Sequence, residues 1–364
     1  MINWVEINKE NLYHNIAQFK KITPDSQIWP VVKSNAYGHG LKEIVSLLDK
    51  DKFTTGFMVV NLSEALEVKN ISDKPVMVLS YFDRVEADLV KASKYKISLP
   101  IYDFETIDYL DSFAKEFLVN LKIDTGTSRL GFLENDANKA IDYIKNKKNL
   151  KLNSIYTHFA ESESEDLAFS NEQWNTLSSI SQSAPGLKIH AACSAASISM
   201  PHSQADIIRL GLSTYGLWPS KATYQRGKKL GLELKPVMSV KTKIIQIKDL
   251  QAGDTIGYNR TYRCDKDCQI AVVPFGYNEG YSRSLSNQGQ MLVNGHKCLI
   301  RGNICMNLSM VDISGLEAKI GDIVTVLGVD GQQSISAEDI AKHSQTINYE
   351  VVTKINNKLP RIIV

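Results

Sequence analysis

The sequence predicts an α/β chain: an N-terminal (β/α)8 barrel of the TIM type, followed by a mainly antiparallel β domain. Three observations carry this. Between residues 28 and 218, eight short apolar, β-branched runs recur along the chain. Longer stretches with apolar residues at spacings of three and four separate them, which is the helical period. After about residue 230 the texture changes to alternating runs joined by Gly-Asp turns, the pattern of antiparallel strands. The expected domains are 1–230 and 231–364, with residues 1–8 able to pair with the β domain.

The eight runs are 28–32, 55–60, 75–80, 97–101, 117–123, 152–159, 187–192 and 207–212. Between them lie "LKEIVSLL" from Leu41, "SEALEVK" from Ser63, "EADLVKAS" from Glu86, "FETIDYLDSFAK" from Phe104 and "ANKAIDYIKN" from Ala137. Asn61 with Glu64 three residues later predicts a capped helix start. Eight strand-then-helix units need about 200 to 250 residues to close a barrel. An open doubly wound sheet is the alternative, but the glycine fingerprint of dinucleotide folds is missing. The second domain carries "KPVMSVKTKIIQI" from Lys235, "AGDTIGY" from Ala252, "QIAVVPFGY" from Gln269 and "IGDIVTVLG" from Ile320. Only "SAEDIAKHS" from Ser336 looks helical there.

Composition narrows the function classes. Among 364 residues, 42 basic and 40 acidic side chains leave a net charge of +2, with no basic tract to follow a phosphate backbone. Nucleic acid is therefore not an expected partner. No stretch approaches the ~20 apolar residues that span a bilayer, and the N-terminus has no leader pattern, so no membrane association and a cytoplasmic location are expected. The five cysteines are odd in number and scattered, which speaks against a disulfide framework. Cys264 and Cys268 form one close pair, but a zinc site needs two more ligands nearby, and no metal is expected.

In a closed barrel, chemistry is built where strands end. The first run ends at Lys33, the fifth runs into "KIDTGTSRLG" with Lys122 and Arg129, the sixth reaches His158, the seventh reaches Ser194, and the eighth carries Arg209 and then Gly211. A lysine at the end of a buried strand loses hydration, which frees its neutral amine to act as nucleophile or base. The competing reading is a lysine snorkelling out of the barrel mouth. Its neighbours favour the first: Tyr37 offers a hydroxyl, and Gly38 and Gly40 let backbone come close to a ligand. Ser194 and "RLGLS" from Arg209 supply a hydroxyl and accessible amides late in the barrel, where phosphate groups often bind. An imine-forming lysine facing a phosphate cradle points to pyridoxal 5′-phosphate.

"VVKSNAYGHG" closely resembles the pyridoxal-phosphate attachment segment of bacterial alanine racemases. "KIDTGTSRLGF", "YTHFA", "SAASI", "RLGLSTYG", "GYNRTY", "GYNEGY", "ICMN" and the terminal "NYEVV" and "LPRIIV" follow in that family's order. The resemblance spans essentially the whole chain. It implies a racemase that interconverts L- and D-alanine through a cofactor aldimine and supplies D-alanine for peptidoglycan. Lys33 would hold the cofactor and serve as one base, and Tyr258 would be the base on the opposite face, contributed by a second subunit. An obligate homodimer with shared active sites and a small amino-acid substrate follow.

The same resemblance implies that His158 neighbours that tyrosine and that Arg209 contacts both His158 and the pyridine nitrogen. Arg129 would lie near the cofactor's phenolic oxygen and the substrate carboxylate, oriented by Lys122, a lysine often carbamylated in the family. Tyr37, Ser194, Gly211 and Leu212 match the phosphate set. Tyr277, Arg283 and Met306 match positions lining the substrate path. Three asparagines depart from the family pattern: Asn307 after Met306, Asn303 where an arginine is common, and Asn357 read in place of a tyrosine beside the cofactor phosphate. Cys193 also stands where asparagine is more usual. These changes leave a serine-tolerant or broad-specificity racemase as the alternative, with a non-catalytic cofactor carrier behind it.

Overall fold

A computed structural model describes all residues, Met1–Val364. The chain forms two compact units, Glu10–Ala36 with Ile44–Lys235, and Met1–Lys9 with Tyr37–Glu43 and Pro236–Val364.

The first strand, β1 (Trp4–Ile7), belongs to the second of these. The next eight build the barrel: β2 (Gln27–Pro30), β3 (Phe57–Val59), β4 (Val76–Val78), β5 (Leu99–Ile101), β6 (Phe117–Lys122), β7 (Leu150–Tyr156), β8 (Lys188–His190) and β9 (Ile207–Leu210). Ladders join β3 to β4 and β5 through β8 in parallel. Single parallel bridges complete the ring: Val31 to Met58, Met77 to Ser98 and Cys193 to Arg209. β2 pairs with β9, which closes the circle. The expected (β/α)8 barrel is therefore present. Its strands are buried on both faces, which is why they read as continuous apolar runs rather than alternating ones.

The helices start where local chemistry directs. Asn61 accepts from the Glu64 amide at 2.9 Å and begins the helix Leu62–Lys69. Asp103 does the same for Thr106 at 2.7 Å, opening Phe104–Asp111. Each such cap stabilises its helix by about 1 kcal/mol.

The second unit adds β10 (Met238–Lys243), β11 (Gln246–Leu250), β12 (Thr255–Ile256), β13 (Tyr262–Arg263), β14 (Cys268–Val273), β15 (Gln290–Val293), β16 (His296–Leu299), β17 (Ser309–Asp312), β18 (Ile323–Asp330), β19 (Gln333–Ile335) and β20 (Arg361–Ile363). Its largest sheet runs β16-β15-β18-β10-β1-β20, antiparallel except for the β1–β20 pair. A second antiparallel sheet runs β11-β14-β17, and β12 and β13 form a separate hairpin. Besides the expected helix at Ala337–Ser344, a second one spans Asn348–Thr353. No helix is long and apolar enough to cross a membrane.

Candidate active site

Lys33 does not sit on its strand. β2 ends at Pro30, Val32 donates to the Met58 carbonyl, and Lys33 opens a left-handed turn in which Ser34, Asn35, Ala36 and Tyr37 all have φ near +54°. Each L-residue in this conformation costs about 1–2 kcal/mol, so the turn persists only because its surroundings hold it. Glu64 accepts from the Ser34 amide at 2.6 Å, and Ala36 donates to the Val32 carbonyl at 2.9 Å. The turn aims the half-buried Lys33 amine into a cationic setting. Burial, and then the charge of Arg129, push its pKa below the usual lysine range, against an opposing pull from Glu64.

Lys122, the last residue of β6, is buried with its ammonium 4.7 Å from the Tyr156 ring centroid. Burial and then the charges of Arg209 and Arg129 bring its pKa down to about 7. The following loop is organised by Asp124, whose carboxylate accepts from the amides of Gly126, Thr127, Ser128 and Arg129 at 2.8–3.1 Å. Burial raises the Asp124 pKa, but these amides outweigh it and hold the group below the usual carboxylate range. The exposed Arg129 is thus fixed at its backbone.

His158 lies two residues beyond β7 and its Nδ1 faces Arg209 Nη2 at 3.2 Å. Burial, and then the charges of Arg209, Lys122, Arg129 and Lys33, push its pKa well below the ordinary histidine value, so the ring is neutral. Arg209, in β9, is almost fully enclosed. Nη2 donates to the carbonyls of Thr157 and Ala191, and Nη1 donates to the His190 carbonyl, at 2.7–2.8 Å. Burial lowers its pKa to about 10, which still leaves it cationic at neutral pH.

Ser194 is not on a strand as expected; it opens the short helix Ser194–Ser199 after β8. Its Oγ accepts from the amides of Gly211 and Ser213 at 3.0 and 3.3 Å, with Leu212 buried between them. Four basic side chains, two of them lysines with lowered pKa, surround a neutral histidine beside a hydroxyl and two converging amides, a donor set suited to a phosphorylated, anionic cofactor.

In the other unit, Tyr37 is buried with its ring centroid 6.3 Å from that of Tyr349. A tyrosine of the C-terminal segment, Tyr349 in "NYEVV", therefore stands beside Tyr37. Gly38 has φ +80°, and a Cβ there would lie 2.1 Å from the Val352 carbonyl oxygen. Arg361 donates to the Gly38 carbonyl at 2.8 Å.

Tyr258 follows β12 at the tip of the hairpin, 71% exposed, and its carbonyl accepts from Asn303 at 3.0 Å. Tyr277 and Met306 are exposed neighbours, since the Tyr277 and Asn278 amides donate to the Cys305 and Met306 carbonyls. Arg283 starts the short helical turn Arg283–Leu285. Asn307 donates to the buried Glu279 carboxylate at 2.8 Å. Cys193 lies 3.5 Å from Ser162 Oγ, and the Cys264 and Cys268 sulfurs are 3.3 Å apart. No group of three or more His, Cys, Asp or Glu could hold a metal ion. Tyr349, Glu279 and the buried His190 are members of these networks that the sequence reading did not single out.

Two family models match: the alanine racemase N-terminal domain over residues 7–219 and the alanine racemase C-terminal domain over residues 237–363. The chain belongs to the alanine racemase family. Among curated relatives, the alanine racemase of Carboxydothermus hydrogenoformans is 34% identical over 99% of both chains. That of Leptospira interrogans is 36% identical over 100% of this chain and 96% of its own. Among solved structures, alanine racemase of Clostridium difficile 630 superposes with TM-score 0.92 at 31% identity, covering 100% of this chain and 96% of that one. Alanine racemase of Bacillus anthracis, solved with bound L-Ala-P, gives TM-score 0.90 at 30% identity over 100% and 95%. The chain is accordingly an isomerase of the alanine racemase type, with the activity that the family name states.

Proposed function

We propose that this chain racemises alanine with pyridoxal 5′-phosphate held at Lys33, in a homodimer whose two sites each combine Lys33 of one subunit with Tyr258 of the other. The observation that carries this is the convergence on one barrel rim of a desolvated Lys33, a neutral His158 and a saturated Arg209. When bound, the cofactor supplies an electron sink for the negative charge that develops at the substrate Cα.

The residues divide the remaining work. Lys33, with its lowered pKa, has a neutral amine for covalent attachment and for taking or returning a proton on one face of Cα. Tyr258 serves the other face. A phenol is a weak base at neutral pH, since its ordinary pKa is near ~10, and needs a donor to stabilise its anion. His158 can be that donor through Nε2–H: Arg209 Nη2 carries only donors, so Nδ1 at 3.2 Å can meet it only as an acceptor, sharing a proton that Nη2 also gives to a carbonyl. Arg209 presents only donors and keeps its charge at neutral pH, so a pyridine nitrogen held against it would stay unprotonated and the sink would be a moderate one. Such moderation disfavours side reactions that need a strongly stabilised carbanion. Ser194, Gly211, Leu212 and Tyr37 would grip the phosphate, and Arg129 the substrate carboxylate, with Tyr277, Arg283 and Met306 lining the approach.

Lys122 carries a chemistry of its own. A buried amine titrating near 7 is partly neutral and nucleophilic enough to add CO2; the ammonium gives up one proton to become the amine and a second as the N–C bond forms, so the cation becomes an anion that would orient Arg129 by a charge-assisted bond. In CO2-free buffer its titration gives a signed prediction. The unfolded lysine titrates near 10.5 and the folded one near 7. Between those values the unfolded chain binds more protons, so this group makes stability rise with pH, and the slope vanishes below 7. Urea denaturation at several pH values should show Lys122→Met with a flatter profile over that window; an unchanged slope would contradict the assignment.

A serine-tolerant enzyme is the second reading, and the side chains on which it rested are otherwise engaged. Asn303 donates to Tyr258, Asn307 donates to Glu279, and a tyrosine, Tyr349, stands beside Tyr37. Measuring α-proton exchange and optical rotation with alanine, serine and lysine decides between them. Alanine is expected to lead serine by more than tenfold in kcat/KM, or about 1.4 kcal/mol of transition-state discrimination. A smaller preference would favour relaxed specificity.

A further inference from the structure

We propose that His190, Ser154 and Asn120 form a one-directional hydrogen-bond relay that locks the orientation of Arg209, making all three positioning residues for the reaction. The proposal rests on the reading of Arg209 given above. All four side chains are buried in the barrel interior, with Asn120 and His190 wholly enclosed. Arg209 Nη1 lies 3.2 Å from His190 Nδ1, His190 Nε2 lies 3.0 Å from Ser154 Oγ, and Ser154 Oγ lies 2.7 Å from Asn120 Oδ1. Asn120 Nδ2 then donates to Ser98 Oγ at 2.6 Å.

Proton counting gives the chain a single direction. Arg209 has only donors, so His190 Nδ1 must accept and carries no proton. Asn120 Oδ1 only accepts, so the one hydroxyl proton of Ser154 is committed to it. Ser154 Oγ can then only accept from His190, which places the histidine proton on Nε2. Every bond donates away from Arg209, the arrangement in which successive hydrogen bonds polarise and strengthen one another. Two further contacts remove alternatives. The His190 ring stacks on Tyr156 at 4.9 Å with planes 10° apart, which resists a ring flip. Both protons of Nη1 go to His190, one to its ring and one to its carbonyl, so a single residue sets half of the guanidinium fork. An Nδ1–H tautomer would set donor against donor, and an imidazolium would stand among the charges of Arg209 and Lys122.

The test is nitrogen NMR of the holoenzyme labelled with 15N-histidine, with His190 assigned by its disappearance in His190→Gln. The expected spectrum shows a pyridine-type Nδ1 and a pyrrole-type Nε2–H at His190, unchanged over the pH range in which the enzyme is folded. Ser154→Ala removes the acceptor of Nε2–H. It is expected to lower kcat by about tenfold with KM for alanine within about twofold, and Ser154→Thr, which keeps the hydroxyl, to restore it. A protonated Nδ1 or a titrating imidazolium in the wild-type enzyme overturns the relay, as does Ser154→Ala retaining its kcat. If Ser154→Ala does not fold, the wild-type spectrum alone decides. Absence of racemase activity in a wild-type protein with the expected spectrum would instead overturn the functional reading of Arg209.

Discussion

Lys33→Ala is expected to lower racemisation by roughly 10⁴-fold or more and to abolish the visible absorption of the covalently held cofactor. The size follows from two losses at once. Alanine removes the amine that attaches the cofactor and the group that moves a proton on its face of Cα. The fold should survive, because Lys33 is only half-buried and the turn after it is held by contacts of its neighbours, Ser34 to Glu64 and Ala36 to Val32. Circular dichroism should show an unchanged spectrum, and an exogenous small amine should restore part of the activity. A coloured, active Lys33→Ala protein would remove the basis of the proposal.

Tyr258→Phe is expected to cost about 10²–10³-fold in racemisation while leaving cofactor binding intact. The side chain is 71% exposed, so losing its hydroxyl should change stability by no more than about 0.5 kcal/mol. Because the enantiomers are equally stable, kcat/KM must fall equally in both directions, and asymmetry has to be sought elsewhere. It should appear in D2O as exchange of the α-proton without inversion. Lys33 still serves its own face, so one enantiomer should exchange while the other does not. Loss of exchange from both enantiomers would contradict separate bases.

The barrel was legible because closed parallel strands bury both faces and leave an apolar run for each, and because strand ends mark the catalytic rim. Lys33, Lys122, His158 and Arg209 were picked from strand ends, and the fold brings them into one electrostatic neighbourhood. The left-handed turn at Ser34–Tyr37 was not, since Ser-Asn-Ala-Tyr carries no preference strong enough to announce four positive φ values. His190 was passed over because a lone histidine in an apolar run reads as core; its role emerges only when Ser154 and Arg209 arrive from other strands. Tyr349 was not singled out because the C-terminal segment has no strong periodicity to mark it, and only in the fold does its ring lie beside Tyr37. Arg361 meets Gly38 across 323 residues of sequence, a contact no local pattern can encode.

In the proposed dimer each site is completed by two chains. Lys33→Ala and Tyr258→Phe subunits, each nearly inactive alone, can be co-expressed with different affinity tags and the mixed dimer isolated. Such a dimer has one site with both lesions and one with neither. The shared-site account predicts that it recovers about half of the wild-type activity per dimer. A mixed dimer as inactive as its parents would show that Lys33 and Tyr258 serve within a single chain, and the account would fail.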